Sequence, residues 1–386
     1  MQNKKLTIVT DYYWPQRGGA EAVAKALASN LRVDFSIQII THGICSSPSL
    51  HKSFLGTKEI PPTDPDGNAI NLLRSGLREK ILLLPLAIWD IPACKKAFIY
   101  DLLYFFYRLA FKTRISSLLD GTRIVHCIST GYLARCIGEI CRKKRIRLVS
   151  SPFIHFGKWG DSPGQINAYK ASDVLICPTE SFKNEFLSVA GDHCNHALVV
   201  IPPPIYLPRN SNLSDSNTDD KYILFIGRRE NHKGLPLLLS AYQGLESFGK
   251  LLIVGPGKRI DSVSPEITDL GEVDEDTKQH LLSCCSLLCV PSSDESFGIV
   301  YVEAMSYGKP VVALDIYPVN EIIENGKTGI LVSQNPENLH RALKKLLTNE
   351  TLRKEMGKAA RHCFESRYSN EKVIGRYKEL YSAAAK

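Results

Sequence analysis

Short, nearly continuous apolar runs alternate with helical patterns along this chain, and the alternation comes in two sets. The first set places strands near 6–10, 35–41, 123–128, 147–151, 174–177 and 198–201. The second places them near 222–226, 251–254, 286–290, 311–314 and 330–332. Strands that are apolar on both faces belong to sheets covered by helices on both sides, and the regular alternation with helices predicts parallel pairing. Helices are expected at 19–31, where Val23, Leu27 and Leu31 recur every four residues, and at 236–245, 275–284, 299–306 and 337–347. Between the sets, residues 207–220 hold Asn, Ser and Asp with almost no apolar side chains, which is the composition of a linker. The expected fold class is therefore α/β, with two doubly wound Rossmann-like domains facing a cleft. In such sheets ligands sit outside the carboxyl ends of the strands, and clefts between domains are where ligands bind.

The length of 386 residues fits two domains, and 44% hydrophobic with 23% charged residues is the balance of a globular protein. The 11 cysteines are scattered without paired or zinc-like spacing, so reduced thiols are expected and neither a disulfide framework nor a metal site is. Lys4 and Lys5 precede an apolar run too short for a signal peptide, and no run approaches the length of a spanning helix. A cytoplasmic location is the resulting expectation.

The formal net charge of +8 is partly local. Between residues 70 and 117, Arg74, Arg78, Lys80, Lys95, Lys96, Arg108, Lys112 and Arg114 face only Glu79, Asp90 and Asp101. The same stretch carries Trp89, Phe98, Tyr100, Tyr104, Phe105, Phe106, Tyr107 and Phe111. Two readings stay open: a core-packed helix pair with solvated charges, or contact with an anionic membrane surface. No recognition motif accompanies the charge, so nucleic acid is not an expected partner.

Three strand exits carry candidate chemistry. After the run at 286–290 comes SSDESFG and then a helix, a junction where free backbone N–H groups favour anions. Glu295 lies in that loop and Glu303 in the helix; carboxylates in such places accept hydrogen bonds from sugar hydroxyls. After the run at 222–226 comes GRRENHKG, where Arg228 and Lys233 are placed to neutralise phosphates. After the first strand, DYYWPQRGGAE puts Gly18 and Gly19 at a helix start, where backbone can approach a ligand closely, although the spacing is not that of a dinucleotide fingerprint. His155, in SSPFIHFGKWG, follows the fourth strand and is read as pointing into the cleft.

Taken together these segments resemble retaining glycosyltransferases of the GT-B fold, family four, also called glycosyl transferases group 1. The resemblance runs through the Gly-Gly loop, the histidine, ASDVLICPTESFKNEF and the GR…KG loop. Its most specific part is two glutamates separated by seven residues, followed by AMSYGKPVVALD and NEIIENGKTGILV. The resemblance implies an acceptor-binding domain at 1–206, a nucleotide-sugar donor domain at 221–365, and a terminal helix at 366–386 packing back on the first domain. It implies that Arg228 and Lys233 bind the donor diphosphate and that Glu303 holds the ribose. It further implies that Glu295 contacts the transferred sugar beside the backbone of Phe297, Gly298 and Ile299. His155 is implied near the reacting carbon, and Gly18 and Gly19 near the donor phosphate or the acceptor. No cofactor or divalent metal is expected. The partners implied are a nucleotide-sugar donor and a hydroxyl acceptor. The basic aromatic stretch favours a lipid-linked one, with the enzyme peripheral at the inner membrane face and a role in surface polysaccharide or glycolipid synthesis. A soluble small-acceptor transferase, a nucleotide-sugar isomerase of the same architecture and a non-catalytic binding protein are the competing readings; the Arg228, Lys233, Glu295 and Glu303 set disfavours the last two. Two departures stand out: Ile201 is followed by three prolines where the family often has Asn-Gly, and 43–120 aligns with nothing in the family.

Overall fold

The computed structural model describes residues 4–16, 18–44, 60–91, 93, 96–191, 197–206, 221–260 and 264–384; the linker at 207–220 and Lys95 lie outside them. The chain divides into two compact units, residues 1–206 with 373–386, and residues 207–372.

The first unit runs β1 (Lys4–Val9), α1 (Gly19–Leu31), β2 (Phe35–Thr41), β3 (Ala69–Leu72) and α2 (Leu77–Leu82). A 3-10 segment (Leu84–Asp90) leads to α3 (Ala97–Leu118), β4 (Ile124–Cys127), α4 (Tyr132–Lys144) and β5 (Arg147–Ser150). Then come α5 (Pro163–Lys170), β6 (Val174–Cys177), α6 (Glu180–Ala190) and β7 (Ala197–Val200). All pairings are parallel, in the order β3-β2-β1-β4-β5-β6-β7.

The second unit contains β8 (Tyr222–Ile226), a 3-10 turn (Asn231–Lys233), α7 (Leu235–Tyr242), β9 (Lys250–Val254), β10 (Ile267–Gly271) and α8 (Glu275–Cys284). It continues with β11 (Leu287–Cys289), α9 (Ile299–Ser306), β12 (Val311–Leu314), α10 (Val319–Ile322), β13 (Gly329–Val332), α11 (Pro336–Thr348) and α12 (Glu350–Cys363). Its sheet is parallel too, ordered β10-β9-β8-β11-β12-β13. Each sheet winds outward in both directions from its first strand. The order therefore reverses between β1 and β4 in one unit and between β8 and β11 in the other, and that reversal opens a crevice at the strands' carboxyl ends.

Strands β4, β6 and β12 are buried throughout, which is why β6 and β12 read as unbroken apolar runs and β4 is broken only by the buried His126. Two strands escaped the sequence reading, β3 and β10. Both are the outermost strand on the same side of their sheets, and both are half-exposed, so neither needs a continuous apolar run. The last helix, α13 (Asn370–Ala384), buries Tyr377 and Tyr381, each worth about 1.5–3 kcal/mol on burial. The Tyr381 hydroxyl lies 2.6 Å from Nδ1 of His126, whose Nε2 lies 2.7 Å from the Ser151 hydroxyl. Burial drives the pKa of His126 down to about 3, so the ring is neutral and uses both nitrogens structurally. The eight cysteines among the described residues are buried thiols.

Candidate donor site at a sheet reversal

Helix starts differ across the fold. Side chains cap α5, α6, α8, α11 and α12: Ser162, Thr179, Asp274, Asn335 and Asn349 each accept a hydrogen bond from a first-turn backbone N–H. The four helices that leave the strands at the two reversals behave otherwise. Helices α1, α4, α7 and α9 start after Gly18, Gly131, Gly234 and Gly298, with no side-chain cap. Their first N–H groups are left for something other than a capping side chain, and the positive helix end favours an anion there.

In the second unit the loops after β8 and β11 are tied together. The Ser293 N–H donates to the His232 carbonyl (2.8 Å), and the buried Ser292 hydroxyl donates to the same oxygen (3.1 Å). Gly234 has φ +76, and a Cβ there would lie 1.9 Å from the Pro291 carbonyl oxygen, so only glycine lets the loops approach this closely. Gly298 has φ +96, and a Cβ would strike the Tyr301 ring at 2.5 Å. Tyr301 is itself fixed by a 2.8 Å bond from its hydroxyl to the Val290 carbonyl.

This zipped pair of loops joins two of the residues singled out in the sequence. Lys233 Nζ lies 2.8 Å from Glu295 Oε1, with the two side chains 16% and 9% exposed. An ammonium has three donors, so one bond to Glu295 leaves two for a phosphate. Arg228 lies beside them in sequence but faces outward, 58% exposed, with Nη1 3.1 Å from Glu230. Its neighbour Arg229 does the opposite. It is buried, bonded to Asp269 at 2.7 Å and to the carbonyls of Gly227 and Val254, so it locks the loop onto β9 and β10. The carboxyl of Asp269 is held below its ordinary range. Burial opposes this, and is outweighed by the N–H groups of Ile260 and Gly271 and by Arg229. In the Arg-Arg pair, one guanidinium is structural and the other is open to a ligand.

Glu303 sits in the fifth position of α9 and is almost fully buried. Its Oε1 accepts a 2.8 Å bond from Lys278 of α8, which also holds Glu275 at 2.8 Å. Burial pushes the Glu303 carboxyl upward, and the ammonium pulls against it. Burial likewise works against the Lys278 charge, but Glu303 and Glu275 outweigh it and hold the amine above its ordinary range. Lys278 was not singled out from the sequence. Nothing in EDTKQHLL marks it, because its significance depends on α8 and α9 packing side by side. Phe297 is buried with its ring 6.3 Å from that of Tyr368, which fixes the backbone through Gly298 into Ile299.

The other singled-out residues belong to the first unit. Gly18 precedes α1 in extended conformation and Gly19 opens the helix. His155 stacks on Trp159 at 4.7 Å, and the two residues also pair through their backbones. At that unit's reversal the Asp11 carboxylate accepts bonds from the Ser129 hydroxyl (2.7 Å) and the Thr130 N–H (3.2 Å), linking the exits of β1 and β4. Desolvation raises the Asp11 pKa despite these bonds. Among the described residues no three His, Cys, Asp or Glu side chains come together as a metal site. Also among them, no helix is long and apolar enough to cross a membrane.

Residues 208–363 match the family described as glycosyl transferases group 1. An uncharacterized glycosyltransferase of Methanocaldococcus jannaschii is 30% identical over 219 residues, covering 54% of this chain and 59% of that protein. The phosphatidyl-myo-inositol mannosyltransferase of Mycobacterium leprae is 35% identical over 177 residues, covering 43% and 47%. The chain thus spans about half the length of these curated relatives. The crystal structure of Anabaena HepE in complex with UDP and glucose superposes with a TM-score of 0.72 over 98% of this chain and 100% of that one, at 15% identity, which is a likeness of fold. Residues 208–363 are thus similar to the glycosyl transferases group 1 family, and the two parallel sheets share the GT-B type of fold.

Proposed function

We propose that the protein is a retaining glycosyltransferase that moves a hexosyl group from a nucleoside-diphosphate sugar to an acceptor hydroxyl. The observation that carries this reading is the Lys233–Glu295 pair at the β8/β11 reversal, beside the uncapped start of α9. When the anomeric bond breaks, negative charge grows on the departing diphosphate. The Lys233 ammonium and the first N–H groups of α9 stabilise that charge most when it is largest, which lowers the barrier rather than merely tightening binding. Arg228 adds a second cation from the exposed side. Glu295 orients Lys233 and accepts bonds from hydroxyls of the transferred sugar. Glu303, held by Lys278, accepts from the ribose hydroxyls. The reading includes no divalent cation and no cofactor, the ammonium and the helix start being the groups assigned to the phosphate charge. In the first unit, Gly18 and Gly19 are assigned to the donor phosphate or the acceptor, and His155 to the reacting carbon. Retention follows if the departing phosphate, on the same face as the acceptor, removes the hydroxyl proton.

The acceptor is read as lipid-linked, in surface polysaccharide or glycolipid synthesis at the cytoplasmic membrane face. The matched mannosyltransferase, whose name specifies a phosphatidylinositol acceptor, and the basic aromatic stretch of the first unit support this over a small soluble acceptor.

The test is a thermal-shift screen of UDP-, GDP- and ADP-sugars, followed by nuclear magnetic resonance of the product's anomeric centre. One nucleotide sugar should raise the unfolding temperature, since a ligand that binds only the folded state stabilises it. Its anomeric configuration should survive transfer. An inverted product would overturn retention, and stabilisation by none of the donors would overturn the reading as a whole.

A further inference from the structure

The exposed apolar side chains of this protein are concentrated in one place. Of the fourteen large hydrophobics exposed among the described residues, nine lie between Leu77 and Leu109. Helix α3 explains the pattern. Its buried face carries Leu103, Tyr104, Tyr107, Phe111 and Ile115. At about 100° per residue, Phe98, Leu102, Phe105 and Leu109 fall within an arc of about 60° on the opposite face. Phe98 and Leu102 are 66% and 65% exposed. A helix apolar on two opposite faces needs cover on both, and the unit supplies it on one. Helix α2 extends the open face with Leu77, 78% exposed, and Ile81, and the 3-10 segment adds Leu84 and Ile88. A groove of about 430 Å³, lined by Leu77, Arg78, Ile81, Leu82 and Leu109, joins α2 to α3.

The charges sort themselves around this face. Arg108 and Lys112 are bound to Glu139 at 2.8 and 2.7 Å, and Arg114 donates to the carbonyls of Leu72 and Arg74. Glu79 is turned to the N–H of Gly76, and Asp101 is held by Arg135. Arg78, Lys80 and Lys96 are exposed at the face, and no ion pair holds them among the described residues.

We propose that α2, the 3-10 segment and the outer stripe of α3 dock on an anionic lipid surface. The leucines, isoleucines and phenylalanines enter the acyl boundary, and Arg78, Lys80 and Lys96 lie at the headgroups. An apolar face rimmed by unpaired cations complements such a surface. A second copy of the chain does not fit as well, because a two-fold interface would set the same three cations against one another. Helix α3 lies along the surface and does not span it, since its other face is packed against the unit. The proposal stands apart from the transfer reading: it concerns the first unit's outer face, whatever chemistry the second unit performs.

The experiment is co-sedimentation of the full chain with phosphatidylcholine vesicles, with and without phosphatidylglycerol. The protein should pellet with the anionic vesicles only and be released as salt is raised. Leu102→Asp with Phe105→Asp should weaken binding at least about tenfold. Each of Arg78→Ala, Lys80→Ala and Lys96→Ala should weaken it about fivefold, the equivalent of one cation near an anionic leaflet. Nucleotide-sugar stabilisation should be unchanged in all of these variants, which separates loss of docking from loss of the donor site. Failure of the wild type to pellet with anionic vesicles would overturn the proposal. So would wild-type binding by the double variant. A dimer in light scattering that the double variant converts to monomer would assign the face to a second copy instead.

Discussion

The two sheet reversals share a topology and differ in charge. At β1/β4 and at β8/β11 alike, the strand order turns back on itself and the following helices start uncapped on glycine. At the first, the loops are joined by the Asp11 carboxylate, which takes its bonds from a hydroxyl and a backbone N–H and which burial pushes toward the neutral form. At the second, they are joined by an ammonium–carboxylate pair with a further arginine open beside it. One scaffold thus joins its loops through a buried carboxylate at one reversal and through a cation-bearing pair at the other. The distinction rests on side chains at strand exits, not on the winding.

The sharpest way to break this comparison is to remove the charge from the second crevice. Lys233→Ala should lower turnover at saturating donor by roughly 10²–10³-fold, the loss seen when a preorganised charge stabiliser is deleted. Unchanged turnover would remove Lys233 from catalysis. Glu303→Ala should weaken donor binding by about 1.5–3 kcal/mol in calorimetry through a lost charged hydrogen bond, and equal affinity would refute the ribose role.

Acid separates the units. His42 and His126 of the first unit are both lowered to about 3, by burial above all, and so are neutral when folded. A histidine with a depressed folded pKa contributes stability that is complete above its unfolded value of 6.5 and is lost as pH falls from there toward 3. Each should cost on the order of 2 kcal/mol by pH 4.5. Hydrogen exchange of the full chain should therefore show the first unit losing protection before the second, and the reverse order would contradict the assignment.

A smaller effect probes Lys278. Without its ammonium nothing among Glu275, Lys278 and Glu303 lowers the Glu303 pKa, so Lys278→Met should push that carboxyl further upward and make donor affinity rise with pH more steeply than in the parent. Lys278→Arg should restore the parent's profile. The smallest effect belongs to Asp11→Asn, which should leave donor affinity within about twofold while raising the acceptor KM. A large loss of donor affinity would mean that the two crevices are not separable in this way.

Much of the fold was legible because helices covering both sheet faces force unbroken apolar strands, and the runs at 174–177 and 311–314 match β6 and β12 residue for residue. Helices at 19–31, 275–284 and 299–306 were legible from their spacing and flanks, again residue for residue. The outer strands β3 and β10 were not, since an edge strand with a wet face carries no such run. At the candidate site, Lys233 and Glu295 were visible as charged residues at strand exits, 62 positions apart. Which arginine of Arg228-Arg229 faces a ligand was visible only in part, because adjacent guanidiniums look alike until the Gly227 and Val254 carbonyls and Asp269 claim one of them. Within 70–117 the sequence left core packing and surface contact as alternatives. The structure shows the core packing on one face of α3 and an exposed apolar stripe on the other, and it is on that stripe that the docking proposal rests.

By itself the sequence determined the doubly wound class and the glycines at the reversals, because strand and helix periodicity and the left-handed turns at Gly234 and Gly298 are local demands on residue type. Only the tertiary structure decided the pairings: Lys233 with Glu295, Lys278 with Glu303, and Tyr381 with His126 across 255 residues. A charge or hydrogen-bonding group carries no mark of its partner along the chain. The partner is chosen when packing brings two elements together and burial makes an unpaired group too costly to leave.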